Sequence, residues 1–321
     1  MSKFSGPYST FSQDFSERLI PLTNRLKKVE SKIYKLIAKS VGNAKMSTAY
    51  WNGIKVEMNL LYAEMNAVFD TWARKEIPLR YMRSLKLIQK RINASSLILN
   101  TAKKSVAELM TSNIGIQITR GLIDSSIQSY LSVSVAGKQS LRNLFITTQQ
   151  QLINESMVNV AVSTGFQMGN LGEAKILLKG LFETPIWEAV GKKQFIQAGK
   201  YKYRPHYYAE MVARTKFHQA HSQAALSQGL NYGTDLMEVS SHNTTTKICM
   251  PYEGKIFSAS GKDPRFPPLT DSPPYHPYCL HLIFPTFESA LQVQGTLERF
   301  SEFSLGQISR PPIPASLFQL E

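Results

Sequence analysis

SHNTTTKICMPYEGKIFSASGKDPRFPPLTDSPPYHPYCLHLIFP, residues 241–285, is unlike the rest of the chain. It holds both cysteines, Cys249 and Cys279, three of the six histidines and eight of the sixteen prolines. Proline at that density excludes a long helix. Cysteine and histidine at short spacing are metal-ligand chemistry. In HPYC, His276 and Cys279 lie three residues apart, which closes one side of a tetrahedral site, and Cys249 would join from a turn thirty residues upstream of Cys279. His242 or His281 would complete a set of nitrogen and sulfur donors, the type that zinc prefers. A closed site of this kind is structural and contributes on the order of 10 kcal/mol of folding free energy to a loop-rich module. The metal-free alternative is two buried thiols beside turn histidines. A further reading makes Cys249 a nucleophile, His276 its base, and Glu253 or Asp271 the group that orients the base.

Working outward, Pro205 suits the first turn of a helix, which Met211, Val212, Thr215, Ala220, Ala224 and Leu226 carry to Gly229. His218 and His221 sit at i and i+3 on it and read as an exposed, inert pair rather than a chelate. Asp235–Ser241 alternates as a strand does, and short strands are expected at 255–258 and 281–284. Just upstream, KYKYRPHYY interleaves Lys200, Lys202 and Arg204 with tyrosines. That pattern grips a phosphate backbone and stacks bases, or it is a basic edge lying over aromatic rings.

The N-terminal half reads as amphipathic helix. Leu19, Leu22, Leu26, Val29, Ile33 and Leu36 recur at helical spacing as far as Gly42-Asn43. A second helix fits Ser47–Ile77, ended or kinked by Pro78, and a third fits Leu79–Thr111, broken at Asn113 and Gly115. From Gln117 to Gly180 the helices are expected to be shorter, with residues 132–140 as a linker. The net charge is +14, and residues 1–112 carry nineteen Lys and Arg against eight Asp and Glu. A basic face of this kind, with Lys27, Lys28 and Lys32 as its candidate contacts, attracts DNA or another anionic surface. The alternative is that these side chains only solvate helix faces.

The expected fold is mainly α with a small α+β C-terminal module: long basic amphipathic helices, then a Cys/His loop-rich module with short strands. The expected divisions are an arm over 1–14, a helical region over 15–112, shorter helices over 113–200, the Cys/His module over 201–290, and a helix with a Pro-rich tail over 291–321. No run of eighteen apolar residues suggests a membrane span, and the N-terminus lacks the apolar core of a secretory signal. Two cysteines are too few for a disulfide framework, which favours a reducing compartment. Phosphate-binding glycine loops, H-E-x-x-H and G-x-S-x-G are absent.

The ordered motifs YYAEMVART, DLMEVSSH, C-x-x-YEGKIFS-x-SG and PPYHPYC-x-H-x-x-x-P, spanning Tyr207 to Pro285, resemble the C-terminal module of tailed-phage minor capsid proteins. The resemblance is to the minor capsid protein 2 group, related to the Mu F-like head morphogenesis proteins. Arg214 and Thr215 match that family's helix signature, Gly254 its glycine after the first cysteine, and His276, Pro277 and Cys279 its H-P-x-C. The chain departs from the pattern at Leu280 and at Tyr252. The resemblance implies a virion protein that is not an enzyme, working in head morphogenesis near the portal. Its partners would be the portal protein, the major capsid protein and double-stranded DNA. It would reside in the phage head, and in the bacterial cytoplasm during assembly; the structural zinc is a reading of the Cys/His residues themselves. The rival readings are a zinc- or thiol-dependent hydrolase and a nucleic-acid-binding protein outside any virus.

Overall fold

The computed structural model describes residues 7–41, 48–94, 101–167, 196–198, 201–242 and 244–293. Helices α1 (Pro7–Val41), α2 (Thr48–Asn93), α3 (Val106–Thr111) and α4 (Asn113–Gln167) come first. The strands β1 (Ile196–Ala198) and β2 (Tyr201–Tyr203) form an antiparallel pair. Helix α5 (Pro205–Tyr232) then leads into β3 (Leu236–Val239), β4 (Ile256–Ser258), β5 (Ile283–Pro285) and a short α6 (Glu288–Val293). The mainly helical class with a small C-terminal sheet is as the sequence implies. Among the described residues, no helix is long and apolar enough to cross a membrane. The Pro-rich tail, the 168–195 segment and Lys200 lie outside the described residues.

The chain divides into two compact units. The described residues of 20–69 and 130–210 form one, and those of 1–19, 70–129 and 211–321 the other. In the first, the stripe Leu22, Leu26, Val29 and Ile33 of α1 is buried, as are Ile54, Met58, Leu61 and Met65 of α2. This is the helical periodicity of the sequence turned into a core. Tyr130 of α4 is fully buried and stacks on Phe69 at 4.2 Å between ring centroids. Its phenol pKa is held above the usual value, chiefly by burial. Beside it, His206 Nδ1 lies 2.5 Å from Glu30 Oε2, both side chains buried, so the first turn of α5 is pinned to α1 by a polar contact screened from water.

Two expected breaks are absent from the helices, for one reason, and the helix expected over 79–111 is not continuous: 79–93 belong to α2, and α3 covers Val106–Thr111. Pro78 does not end a helix: α2 runs through it to Asn93. Ala73, Ile77, Tyr81 and Leu85 are buried on both sides of the proline. Arg18 pairs with Glu76, and Trp72 Nε1 donates to the Arg18 carbonyl at 3.3 Å. The packing and side-chain contacts around this turn offset the hydrogen bond that proline removes. Nor is 132–140 a linker between shorter helices, since α4 continues through it as one helix of 55 residues. Val133, Gly137 and Leu141 are buried at i, i+4 and i+8, a helical stripe that overrides weak local propensity. A real break does fall at Ser112, where α3 gives way to α4; a Cβ at Gly115 would lie 2.0 Å from the Leu109 carbonyl oxygen, so only glycine fits there. Helix α1 also begins at Pro7, ahead of the expected start at Phe15.

In the second unit the sheet order is β4-β3-β5, all antiparallel. Leu236, Ile256, Phe266 and Leu291 form an apolar cluster there. His218 and His221 are buried, not exposed. His221 Nε2 donates to the Ile283 carbonyl at 3.2 Å, and His218 hydrogen-bonds the His281 backbone. Ile283 opens the edge strand β5, and His281 lies two residues before it. The i, i+3 histidines cover that open edge rather than chelate a metal.

Two measurements check these assignments. Tyr130→Ala is expected to cost about 3–5 kcal/mol in denaturant unfolding, the range for emptying a large aromatic site. Burial, the largest cause, and the nearby Arg80 pull the His218 pKa down to about 3. The unfolded chain then takes up a proton that the folded one refuses, so stability falls as pH drops from the ordinary histidine value toward 3. From this residue alone we expect a loss of about 2 kcal/mol between roughly pH 7.5 and 5, diminished in His218→Gln.

Candidate metal centre

Strand topology brings the Cys/His residues together. β4 and β5 both run antiparallel to β3, so both begin beside its C-terminal end, with Glu238 opposite Ile256 and Val239 opposite Ile283. The loop leaving β3 and the segment entering β5 therefore meet at one end of the sheet. Ser240 ties them: its N–H donates to the Leu282 carbonyl, and its Oγ accepts from the Leu282 N–H, each at 2.9 Å.

Within the first loop, residues 246–255 form successive tight turns. The Cys249 carbonyl accepts from the N–H groups of Tyr252 and Glu253, and Gly254 closes the turn at φ +68° while donating to the Val239 carbonyl. That left-handed backbone favours glycine. In the second segment, the Cys279 N–H donates to the His276 carbonyl, and Tyr278 takes φ +63° in between. Tyr252 stacks on Tyr275 at 4.1 Å between centroids and clamps the two loops together. The cysteines point inward, while their neighbours Ile248, Met250, Tyr278 and Leu280 are exposed.

Ligand atoms of Cys249, His276 and Cys279 all lie within 4.8 Å of one another. A tetrahedral zinc, with sulfur at about 2.3 Å and nitrogen at about 2.0 Å, spaces its ligands by roughly 3.3–3.8 Å. The three donors are thus within about an ångström of a closed set. The His276 Nδ1 lies 2.7 Å from the Pro277 carbonyl; donating there leaves Nε2 with the lone pair a metal needs. His281 Nδ1 lies 3.6 Å from Cys279 Sγ, the length of one tetrahedral edge, and its Nε2 lies 3.5 Å from Glu253 Oε1. A carboxylate behind a ligating imidazole is the common outer-shell arrangement at zinc. His242 is held differently: its Nε2 meets Ser240 Oγ at 2.8 Å, and its ring packs edge-on against His281.

The electrostatics agree with the donor set. Burial, reinforced by the Cys279 thiol, pushes the Cys249 thiol up to about 12, so without a cation it stays protonated and is a poor nucleophile. A divalent cation inverts this balance and takes the sulfurs as thiolates. Burial and the neighbouring His242 lower the His281 pKa, keeping its ring neutral as a ligand requires. Burial alone would raise the Glu253 carboxyl, but hydrogen bonds from the His242 and Thr244 amides and the His281 ring bring it below its ordinary value. The three clustered donors, two sulfurs and an imidazole, fit zinc in type.

Of the other singled-out residues, the Arg214 guanidinium lies 5.5 Å above the Tyr278 ring, and Thr215 Oγ1 bonds back to the Met211 carbonyl at 3.0 Å. Lys32 is engaged by Glu64 at 2.8 Å, while Lys27 and Lys28 are exposed. Arg204 is half-buried beside β2, which contains Lys202. The Tyr252–Tyr275 stack and the role of Glu253 behind His281 have no sequence signature, because each joins residues more than twenty apart. The departure at Tyr252 has this explanation: where a second cysteine would stand, a tyrosine fastens the loops instead.

Protein purified without a polyhistidine tag is expected to carry about one zinc per chain by elemental analysis. Cys279→Ser should lose both the metal and thermal stability. Glu253→Gln should weaken zinc binding roughly 10- to 100-fold, the usual effect of removing an outer-shell partner. Zinc retained in Cys279→Ser at unchanged stability would remove Cys279 from the ligand set.

Residues 185–289, about a third of the chain, match the family described as phage minor capsid protein 2. The resemblance drawn from the ordered motifs is borne out over this span, and it supports a phage structural role. Neither curated proteins nor solved structures yield a match to it.

Proposed function

From a chain whose residues 185–289 carry the phage minor capsid protein 2 module, we propose a minor component of a tailed-phage head that acts in head morphogenesis beside the portal. In this reading the C-terminal module is a rigid docking piece, and zinc on Cys249, His276, Cys279 and His281 fixes the two loops that present its surface. The observation that carries the zinc assignment is the donor cluster itself: two buried thiols, and a histidine with a ring nitrogen within 4.8 Å of both. Four protein ligands leave no open position for water, so the metal would hold structure and not activate a nucleophile. The exposed Ile248, Met250, Tyr278 and Leu280 then stand around a fixed knot, where apolar side chains suit a protein partner, the portal or the major capsid protein. The excess positive charge of the N-terminal helices, with Lys27 and Lys28 exposed, suits contact with packaged DNA.

The test uses particles. The protein is expected in purified virions by mass spectrometry, at a few copies per particle, and an early stop codon should leave heads that fail to package or deliver DNA. Normal infectious particles without the protein would overturn the morphogenesis reading. A Cys249→Ser chain that is stable yet absent from particles would point to the knot as the docking element.

A further inference from the structure

In the unit formed by 20–69 and 130–210, helices α2 and α4 border a cleft of about 430 Å³. Three cations line it: Lys55 from α2, and Lys138 and Arg142 from α4. Among the described residues, no carboxylate does. None of the three forms an ion pair among the described residues, in contrast to Lys32, Arg18 and Arg74, which are matched to acids. Lys138 and Arg142 are also i and i+4 on one helix, a like-charge spacing that opposes helix formation. The sequence does nothing to relieve it: from Ser125 to Asn154 there is no Asp or Glu, and these two are the only charged residues. Asn59 and Gln139 add amide groups to the walls, and buried Met58 gives an apolar floor.

Converging cations without a protein counter-charge are stabilised by an anion, and a repeating anion satisfies three at once. We propose that this cleft takes the phosphodiester backbone of DNA, the cations meeting successive phosphates while Met58 lies under the sugars. The inference rests on the DNA-contact part of the function proposed above and gives that contact a place other than the Lys27–Lys28 face. It requires no base-specific contact, so binding should be insensitive to sequence.

The test is fluorescence anisotropy of the full-length chain with a short DNA duplex, titrated between about 50 and 200 mM salt. Neutralising the cleft (Lys55→Gln, Lys138→Gln and Arg142→Gln together) is expected to reduce the slope of log K against log salt by about 2–3, since each lost phosphate contact removes about 0.9. Lys55→Arg with Lys138→Arg should keep the slope. Thermal melting of each variant checks that the fold is intact. A control with Lys103→Gln, Lys104→Gln and Lys262→Gln removes as much charge elsewhere; an equal fall in slope there would mean diffuse attraction and overturn the site. Duplex binding by the wild type with an unchanged slope in the cleft variant overturns the cleft and leaves DNA contact standing. Wild type that binds no duplex at low salt overturns both. Cleft-dependent binding of polyglutamate but not of duplex would assign the cleft to an acidic protein instead.

Discussion

Two loops with few aliphatic side chains meet at the C-terminal end of β3, and they must hold each other in place. Neither can form a core of its own, so their order comes from short-range contacts across the junction: the paired bonds of Ser240 with Leu282, the Tyr252–Tyr275 stack, and the cluster of Cys249, His276 and Cys279. Glu253 gathers two amides and the His281 ring into the same knot. The apolar cluster of Leu236, Ile256, Phe266 and Leu291 supports the strands, but it does not reach the loop tips. A metal held by the cysteines and histidines would add a further cross-link between the two loops.

Elsewhere the molecule relies on buried polar groups that are satisfied within the fold. His218 and His221 spend their ring N–H groups on the open edge of β5, and His206 meets Glu30 inside the helical unit. Such groups are costly when unmatched and specific when matched. They select one register for α5, whose own sequence is only weakly amphipathic and would tolerate several. The same register sets Arg214 over Tyr278, next to Cys279, so the helix and the second loop are positioned together.

The chemistry of the Cys/His site argues against a thiol enzyme more than it argues against metal. A nucleophilic cysteine needs a lowered pKa, and burial pushes Cys249 the other way. The same burial suits a structural site, where a cation supplies the charge that water does not.

Much of this was legible in the chain itself. The apolar stripe of α1, the class of the fold, the short strands near 236, 256 and 283, and the pairing of Cys249 with the HPYC segment all follow from spacing, because burial imposes a period and metal chemistry imposes residue types. The ordered motifs likewise carried the resemblance that holds over residues 185–289. What spacing does not contain is long-range choice. Pro78 and the Ser/Gly-rich 132–140 segment read as breaks, yet both stay helical because tertiary burial outweighs local preference. The histidines of α5 read as exposed until a strand edge, some sixty residues on in sequence, supplied their acceptors. Which histidine stands behind Cys279, and which carboxylate stands behind that histidine, depended on the antiparallel pairing of β4 and β5 with β3. Sequence determined the kinds of group present; only the fold decided which of them meet, since that is fixed by strand order and not by distance along the chain.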